Sequence, residues 1–225
     1  MKSENRSYYE IYALGDSAFT IEFGKDIHPE TNDHVIARFK QFQENPIKGI
    51  IDLIPAYHTL TLCFDLTQIS QPKYGLNTLI EHVKLRLEEP VDIGEISQNL
   101  HEIPVVYGGK NGLDIIRVSL EKEIDVNEII RLHAEPTYRV YMLGFIPGFA
   151  YLGELNKVLS MPRKSIPQPI IPGSIGIAGL QTGIYPSISP GGWNIIGHTD
   201  FPLLKNDLPI LQPGDRVKFI PQNQI

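Results

Sequence analysis

The segment IAGLQTGIYPSISPGGWNIIGHT, residues 177–199, indicates how the second half of this 225-residue chain folds. It is rich in glycine and proline and contains no Asp, Glu, Lys or Arg, yet it carries large apolar and aromatic side chains. A flexible linker would be polar and poor in aromatic residues. Short strands joined by tight turns fit this pattern, so the segment predicts a folded all-β barrel or sandwich.

The first hundred residues show a different pattern, in which short strands alternate with amphipathic helices. EIYAL and FTIEF are predicted strands, followed by a helix over about residues 28–44, the strands GIIDLIPAY and TLTLCFDL, and a helix over residues 77–88. The order ββαββα predicts helices packed on one face of a mostly antiparallel sheet, an α+β sandwich. The polar stretch 91–98 is the best linker candidate, which predicts domains over residues 1–95 and 96–225.

One helix is predicted within the second half, from Asp125 to His133. Asp125 is a suitable N-cap residue, and Glu128 stands three positions later, which is the spacing of a capping box. His133 closes this helix. A cation favoured by the helix dipole and a catalytic group are both compatible with that position.

Composition and charge exclude several classes of protein. The formal net charge is −6 and no long basic run occurs, so nucleic acids and anionic membrane surfaces are poor partners. A single cysteine, Cys63, excludes an internal disulfide framework and a cysteine-based zinc cluster, and no metal site is predicted. Without a signal-like N-terminus or a membrane-spanning stretch, the sequence predicts a soluble cytoplasmic protein.

The usual motifs of phosphate loops, dinucleotide sites and hydrolase nucleophile elbows are absent from the sequence. Candidate residues therefore come from the glycine- and proline-rich half. Arg163 lies in a proline-stiffened segment and has the planar fork that suits a carboxylate or a phosphate. Residues 177–199 offer the hydrogen-bonding groups of Gln181 and Thr182, the rings of Tyr185 and Trp193, and His198, whose imidazole can both donate and accept a hydrogen bond.

The stretch GFIPGFAYLGEL adds three aromatic residues among glycines, Phe145, Phe149 and Tyr151. Two interpretations remain open for it, an aromatic plug of the barrel or the wall of a ligand pocket. A surface that is poor in charge and rich in aromatic residues is typical of an interface core or a concave pocket.

At these residues the sequence resembles the B subunits of bacterial 5-oxoprolinases, a family also described as KipI-type histidine-kinase inhibitors and as allophanate hydrolase subunit 1. The resemblance lies in the patterns YMLGFxPGFxYLG and GxQTGIYPxxSPGGWxxIG, in MPRKSIPQPIIPGS and in LQPGDRVKF. With the ββαββα half, the similar segments span nearly the whole chain in the family's order.

The resemblance implies an N-terminal α+β sandwich and a C-terminal cyclophilin-like β-barrel. It further implies a chain that works with a carboxyltransferase-like C subunit and with an A subunit to hydrolyse 5-oxo-L-proline to L-glutamate with ATP. Such a chain would be inactive alone, with ATP bound mainly by a different component of the complex. The substrate or partner face would comprise Arg163, Gln181, Thr182, Tyr185, Trp193 and His198, with His133 as a further candidate, and no acid, base or nucleophile is assigned.

Two alternatives follow from the same resemblance: a binding module that inhibits autophosphorylation of a sensor histidine kinase, and an allophanate-directed or carboxyltransferase-like subunit. The sequence also departs from the family pattern. Relatives commonly have GRTP where this chain has Gly197, His198, Thr199 and Asp200, which weakens an anion-holding role at that position. Leu113 replaces a common proline, for which we expect a local change of loop.

Overall fold

The computed structural model describes residues 9–70, 75–94 and 99–222. The chain divides into two compact units, Met1–Ile96 and Ser97–Ile225. Part of the predicted linker, residues 95–98, lies outside the described residues. None of the helices in the described ranges combines the length and the apolar character that crossing a bilayer requires.

The first unit is built on a four-stranded antiparallel sheet with the strand order β1-β2-β4-β3. Its elements are β1 (Glu10–Ala13), β2 (Ala18–Glu22), α1 (Pro29–Glu44), β3 (Ile50–Pro55), β4 (Thr59–Phe64), α2 (Leu66–Ile69) and α3 (Leu76–Glu88). This is the predicted order of elements with one addition, the four-residue helix α2. Asp65 caps that helix by accepting a hydrogen bond of 2.8 Å from the Thr67 N–H.

Helices α1 and α3 bury one apolar stripe each in a core that they share with the sheet. In α3, Leu79, Val83 and Leu87 recur at four-residue spacing and are all buried. In α1, Val35 and Phe42 contribute to the same core. The apolar spacing in these two helices therefore corresponds to their buried faces.

The second unit is built around a closed seven-stranded barrel with the strand order β10-β7-β6-β15-β5-β12-β9. Its strands are β5 (Leu100–Tyr107), β6 (Thr137–Leu143), β7 (Ala150–Gly153), β8 (Gln168–Ile170), β9 (Ser174–Ala178), β10 (Gln181–Ile184), β11 (Ser189–Gly191), β12 (Asn194–His198), β13 (Leu204–Lys205), β14 (Leu208–Pro209) and β15 (Arg216–Gln222). Strands β8 and β11 form a separate antiparallel pair, as do β13 and β14. The barrel interior is filled by alternate side chains, such as Ile103 and Val105 of β5 and Val217 and Phe219 of β15.

Strands β5 and β15, the first and last of the barrel, pair in parallel, whereas the other barrel neighbours are antiparallel. The parallel register runs from Arg216 opposite Leu100 to Gln222 opposite Val106. Closure of the barrel therefore depends on contacts between residues that are far apart in the sequence.

The closed barrel confirms the barrel predicted for the second unit, but the unit is not all-β, since two α-helices accompany the barrel: α4 (Ile115–Lys122) and α5 (Val126–Ala134). Helix α5 was predicted, and its Asp125 cap accepts a hydrogen bond of 2.7 Å from the Asn127 N–H. The capping box does not form, because the Glu128 carboxylate pairs with Arg131 at 2.8 Å. Helix α4 was not predicted. It buries Ile115 and Val118 in the barrel unit's core.

Candidate functional site

An aromatic cluster covers the outer surface of strands β7, β9 and β10. On β10, Thr182 and Ile184 are buried on the inner side, so Gln181 and Gly183 lie on the opposite, outer side, as does Tyr185 just beyond the strand. We define the aromatic face as the five rings that gather there: Phe145, Phe149, Tyr151, Tyr185 and Trp193. Two separate stretches, residues 145–151 and 185–193, supply these rings.

The rings of the aromatic face pack edge to face around Phe149. Its centroid lies 4.8 Å from that of Tyr151, 5.0 Å from Tyr185 and 5.4 Å from Trp193, at interplanar angles of 69°, 73° and 90°. Such pairs contribute about 0.5–1.5 kcal/mol each beyond the area that they bury. Phe149, Tyr185 and Trp193 are buried in this packing, so the cluster is rigid, and Phe145 and Tyr151 are the rings that reach its surface.

Gly183 makes this packing possible. A Cβ at this position would lie 2.8 Å from the Phe149 ring and 3.1 Å from the Trp193 ring. Any side chain here would push the two rings apart, so the glycine in QTGIY is required by close approach.

Phe145 stands at the edge of the aromatic face in an unusual backbone conformation. Its φ is +69°, in the left-handed region that bulky residues seldom adopt, and the residue is 58% exposed. Its ring packs edge to face on Phe149 at 5.8 Å and on Tyr185 at 6.4 Å. The chain thus holds a large apolar side chain at the surface by means of a strained backbone, a combination that is concentrated at functional sites.

Arg163 brings a positive charge to the aromatic face. Burial raises the pKa of the Tyr151 and Tyr185 hydroxyls, and the nearby Arg163 charge opposes that rise in both. The segment that carries Arg163 is held beside the turn before Trp193, because the Lys164 N–H donates a hydrogen bond of 2.7 Å to the Gly192 carbonyl. Arg163 itself is exposed, so its guanidinium is available to a ligand.

Lys164, the neighbour of Arg163, has a structural role. Its ammonium lies 2.9 Å from the Asp114 carboxylate, and both side chains are only 14% exposed. The same carboxylate oxygen accepts a hydrogen bond of 2.7 Å from the Ile195 N–H. The basic pair of the sequence therefore divides into one largely buried structural cation and one exposed cation.

His133 and Thr182 lie inside the barrel, away from the aromatic face. His133 Nε2 is 2.9 Å from Thr182 Oγ1, and its Nδ1 is 2.7 Å from the Tyr107 hydroxyl. The Thr182 hydroxyl is also 3.1 Å from the Gly176 carbonyl, which can only accept a hydrogen bond. Thr182 therefore donates to Gly176 and accepts from His133 Nε2–H, while Tyr107 donates to His133 Nδ1.

This network contradicts the interpretation of His133 as a cation at the end of a helix. Burial lowers the pKa of His133 to about 3, so the imidazole is neutral. Its ring stacks on Phe219 with a centroid distance of 4.7 Å. His133 is a satisfied core residue, and the role that the structure supports for it is to fix the barrel interior.

His198 lies at a third place, the end of β12, where it lines an open groove with Lys110 and Asp200. The structure thus brings Arg163, Tyr185 and Trp193 together and puts Gln181 on the same outer side of the barrel. It does not bring His133, Thr182 or His198 to them. Phe145 and Tyr151, which were not among the predicted site residues, belong to the face, and their signal was the run GFIPGFAYLGEL.

Comparison with known proteins relates these features to a family. The profile of the family "Carboxyltransferase domain, subdomain C and D" matches residues 9–210. A Bacillus subtilis (strain 168) protein named as the B subunit of 5-oxoprolinase is 42% identical over 221 residues, which cover 94% of this chain and 92% of that protein. The chain belongs to the family of 5-oxoprolinase B subunits. The segments that build the aromatic face all lie within the matched residues.

Solved structures that resemble this chain include larger proteins. The crystal structure of TTHA0988 superposes with a TM-score of 0.78 at 32% identity, and the match covers 92% of this chain but only 40% of that chain. The urea carboxylase of Kluyveromyces lactis superposes with a TM-score of 0.74 at 18% identity over 99% of this chain and 22% of that chain. The second similarity concerns the fold alone. In both proteins the fold of this family member is one part of a longer polypeptide.

Proposed function

We propose that the chain is the B subunit of an ATP-dependent 5-oxoprolinase, which hydrolyses 5-oxo-L-proline to L-glutamate together with partner proteins. Its similarity to a 5-oxoprolinase B subunit over 94% of the chain supports the assignment. One structural observation carries it to a site: the exposed Arg163, whose segment is held against the turn before Trp193 by the hydrogen bond of 2.7 Å from the Lys164 N–H to the Gly192 carbonyl. A guanidinium binds a carboxylate through two parallel hydrogen bonds, and 5-oxoproline carries one carboxylate on a small ring.

The aromatic face is suited to binding rather than to acid–base chemistry. Residues 177–199, which supply Tyr185 and Trp193, contain no Asp, Glu, Lys or Arg. Burial raises the pKa of Tyr151 and Tyr185, so at neutral pH both hydroxyls stay protonated and do not act as bases. In the proposed complex, the groups that move protons and bind ATP therefore come mainly from the partner proteins, and phosphorylation of the lactam oxygen makes ring opening accessible.

Exposed apolar side chains on the segments around the aromatic face support a partner. Ile188 is 77% exposed, Ile166 is 75% exposed and Phe145 is 58% exposed. Exposed apolar side chains on these stretches are available to a partner's surface. We propose that the C subunit covers this region and completes the site, with the A subunit as the third component. This arrangement accords with the longer chain of TTHA0988, of which the fold described here covers 40%.

The test is to purify the chain with the A and C subunits and to measure ADP release that depends on 5-oxoproline. The assembly is expected to turn over, whereas this chain alone is expected to be inactive. Arg163→Met should lower the activity of the assembled complex by about tenfold or more, since a charge-assisted pair to the substrate is lost. Lys157→Met, at another exposed cation, is the matched control. A stable complex that does not turn over would refute the proposal.

A second candidate, a carboxyltransferase-like or allophanate-directed subunit, is favoured by the family profile that matches residues 9–210. The same complex assayed with allophanate and with carboxylated substrates distinguishes it from a 5-oxoprolinase. The kinase-inhibitor alternative is tested by adding the purified chain to a sensor histidine kinase and measuring autophosphorylation.

A further inference from the structure

The barrel unit has an open groove of about 1050 Å³ that lies apart from the aromatic face. We call it the β5 groove, because Pro104 and Val106, whose side chains lie on the outer side of β5, form its floor. The loop that follows β5 and residues 198–202 form its walls. None of its described lining residues belongs to the aromatic face, so the groove is a separate feature.

His198 presents a defined ring nitrogen to the groove. Its Nε2 lies 2.9 Å from the Pro172 carbonyl oxygen. A carbonyl can only accept, so Nε2 carries the hydrogen and Nδ1 is left as an acceptor in the neutral ring. The backbone fits closely under the ring, because a Cβ at Gly173, where φ is +80°, would lie 2.7 Å from Nε2.

A second acceptor stands beside this nitrogen. The Asp200 Oδ1 is 3.8 Å from His198 Nδ1, and the Asp200 side chain is fully exposed. Two acceptors at this separation can share one N–H or ammonium donor placed between them. This end of the groove is therefore selective for a hydrogen-bond donor.

The groove also carries a cation. Lys110 is exposed, and it makes no ion pair within the described parts of the chain. Asn111 and Gln222 add amide groups, which both donate and accept, and Phe201 adds an apolar wall. A single permanent positive charge suits one carboxylate and is too little for a polyphosphate.

We propose that the β5 groove binds a small molecule that carries a carboxylate beside an N–H donor, the chemistry of an α-amino acid or of its lactam. Lys110 binds the carboxylate, and His198 Nδ1 and Asp200 accept from the N–H group. Val106 and Phe201 contact the apolar part. The choice of 5-oxoproline and L-glutamate as probes rests on the proposed function, but the binding itself requires no partner protein.

The test is an NMR titration of the ¹⁵N-labelled full-length chain with four compounds. 5-Oxo-L-proline has the carboxylate and a lactam N–H, and L-glutamate has the carboxylate and an ammonium. Cyclopentanecarboxylate lacks the N–H, and 2-pyrrolidinone lacks the carboxylate. At least one of the first two should shift the amide signals of Gly108, Gly109 and Thr199, and it should bind at least about tenfold more tightly than either of the other two. Whichever of these two compounds binds more tightly shows whether the groove takes the lactam or the free amino acid.

Variants locate the binding in the groove. Lys110→Met and Asp200→Asn change exposed side chains, so both should fold, and each should weaken binding by about tenfold. Lys157→Met should bind as the unmodified chain does. The proposal is overturned if neither 5-oxoproline nor L-glutamate shifts these amides, if the two truncated compounds bind equally well, or if Lys110→Met binds unchanged. Turnover by the three-component complex without binding to this groove would leave the 5-oxoprolinase proposal intact.

Discussion

The buried chain of hydrogen bonds through His133 gives a sharp prediction for the substitution Thr182→Val. Valine has nearly the same shape but cannot accept from His133 Nε2–H, 2.9 Å away, or donate to the Gly176 carbonyl, 3.1 Å away. The orphaned N–H costs about 1–3 kcal/mol and the second lost bond about 1 kcal/mol. The added methyl group returns about 0.8 kcal/mol. We expect a net loss of about 1–3 kcal/mol in the free energy of unfolding of the barrel unit.

The assay is urea unfolding followed by the fluorescence of Trp193, the single tryptophan of the chain, which lies buried in the barrel unit. Thr137→Val is the matched control, since Thr137 is exposed on β6 and should change stability by no more than about 0.5 kcal/mol. The reasoning fails if Thr182→Val is as stable as the unmodified protein or if both variants lose the same amount. An NMR measurement that finds the hydrogen of neutral His133 on Nδ1 would contradict it independently.

Three further predictions concern the barrel unit. Tyr185→Phe should keep the packing of the aromatic face but lower the activity of the complex. Tyr185→Ala should also unfold the barrel unit, because the Tyr185 ring is only 2% exposed. Circular dichroism separates loss of activity from loss of folding. Burial lowers the pKa of His133 from 6.5 to about 3, so between these two pH values the imidazole takes up a proton in the unfolded chain but not in the folded one. The free energy of unfolding should therefore fall on acidification through that range by up to about 1.4 kcal/mol per pH unit. Urea midpoints at pH 7 and pH 5 test this, with a smaller decline expected for His133→Gln. Asp215→Ala removes the buried carboxylate that contacts His101 Nε2 at 2.9 Å and accepts a hydrogen bond of 3.0 Å from the Gln212 N–H, and should lower the free energy of unfolding by about 2–4 kcal/mol, against little change for Asp200→Ala.

Local patterns predicted the first unit well. The apolar spacing in α1 and α3 gave both helices to within one residue, because one turn of an amphipathic helix is encoded by neighbours in the sequence. Helix α4 was not predicted, because its apolar spacing is not clear in the sequence. It is only eight residues long, and the exposed Ile116 and Leu120 obscure the stripe formed by Ile115 and Val118.

The candidate site was predictable in composition but not in arrangement. The aromatic and glycine residues of the two runs indicated a surface poor in charge, yet the contact between Phe149 and Trp193 depends on barrel pairing that no local pattern encodes. The same limit explains His133. Its position near a helix end indicated a cation, while its burial between Phe219 and Tyr138 is a property of the closed barrel.

The parallel pairing of β5 with β15 also constrains when the barrel unit can fold during protein synthesis. Leu100 leaves the ribosome long before its partner Arg216 is made, so the first strand waits unpaired while the helices and the other strands emerge. Because non-local pairing is slow, closure of the barrel has to wait until β15 has been made. A truncated message or a protease that removes only β15 would leave the β5 edge and the side chains around Phe219 open to aggregation.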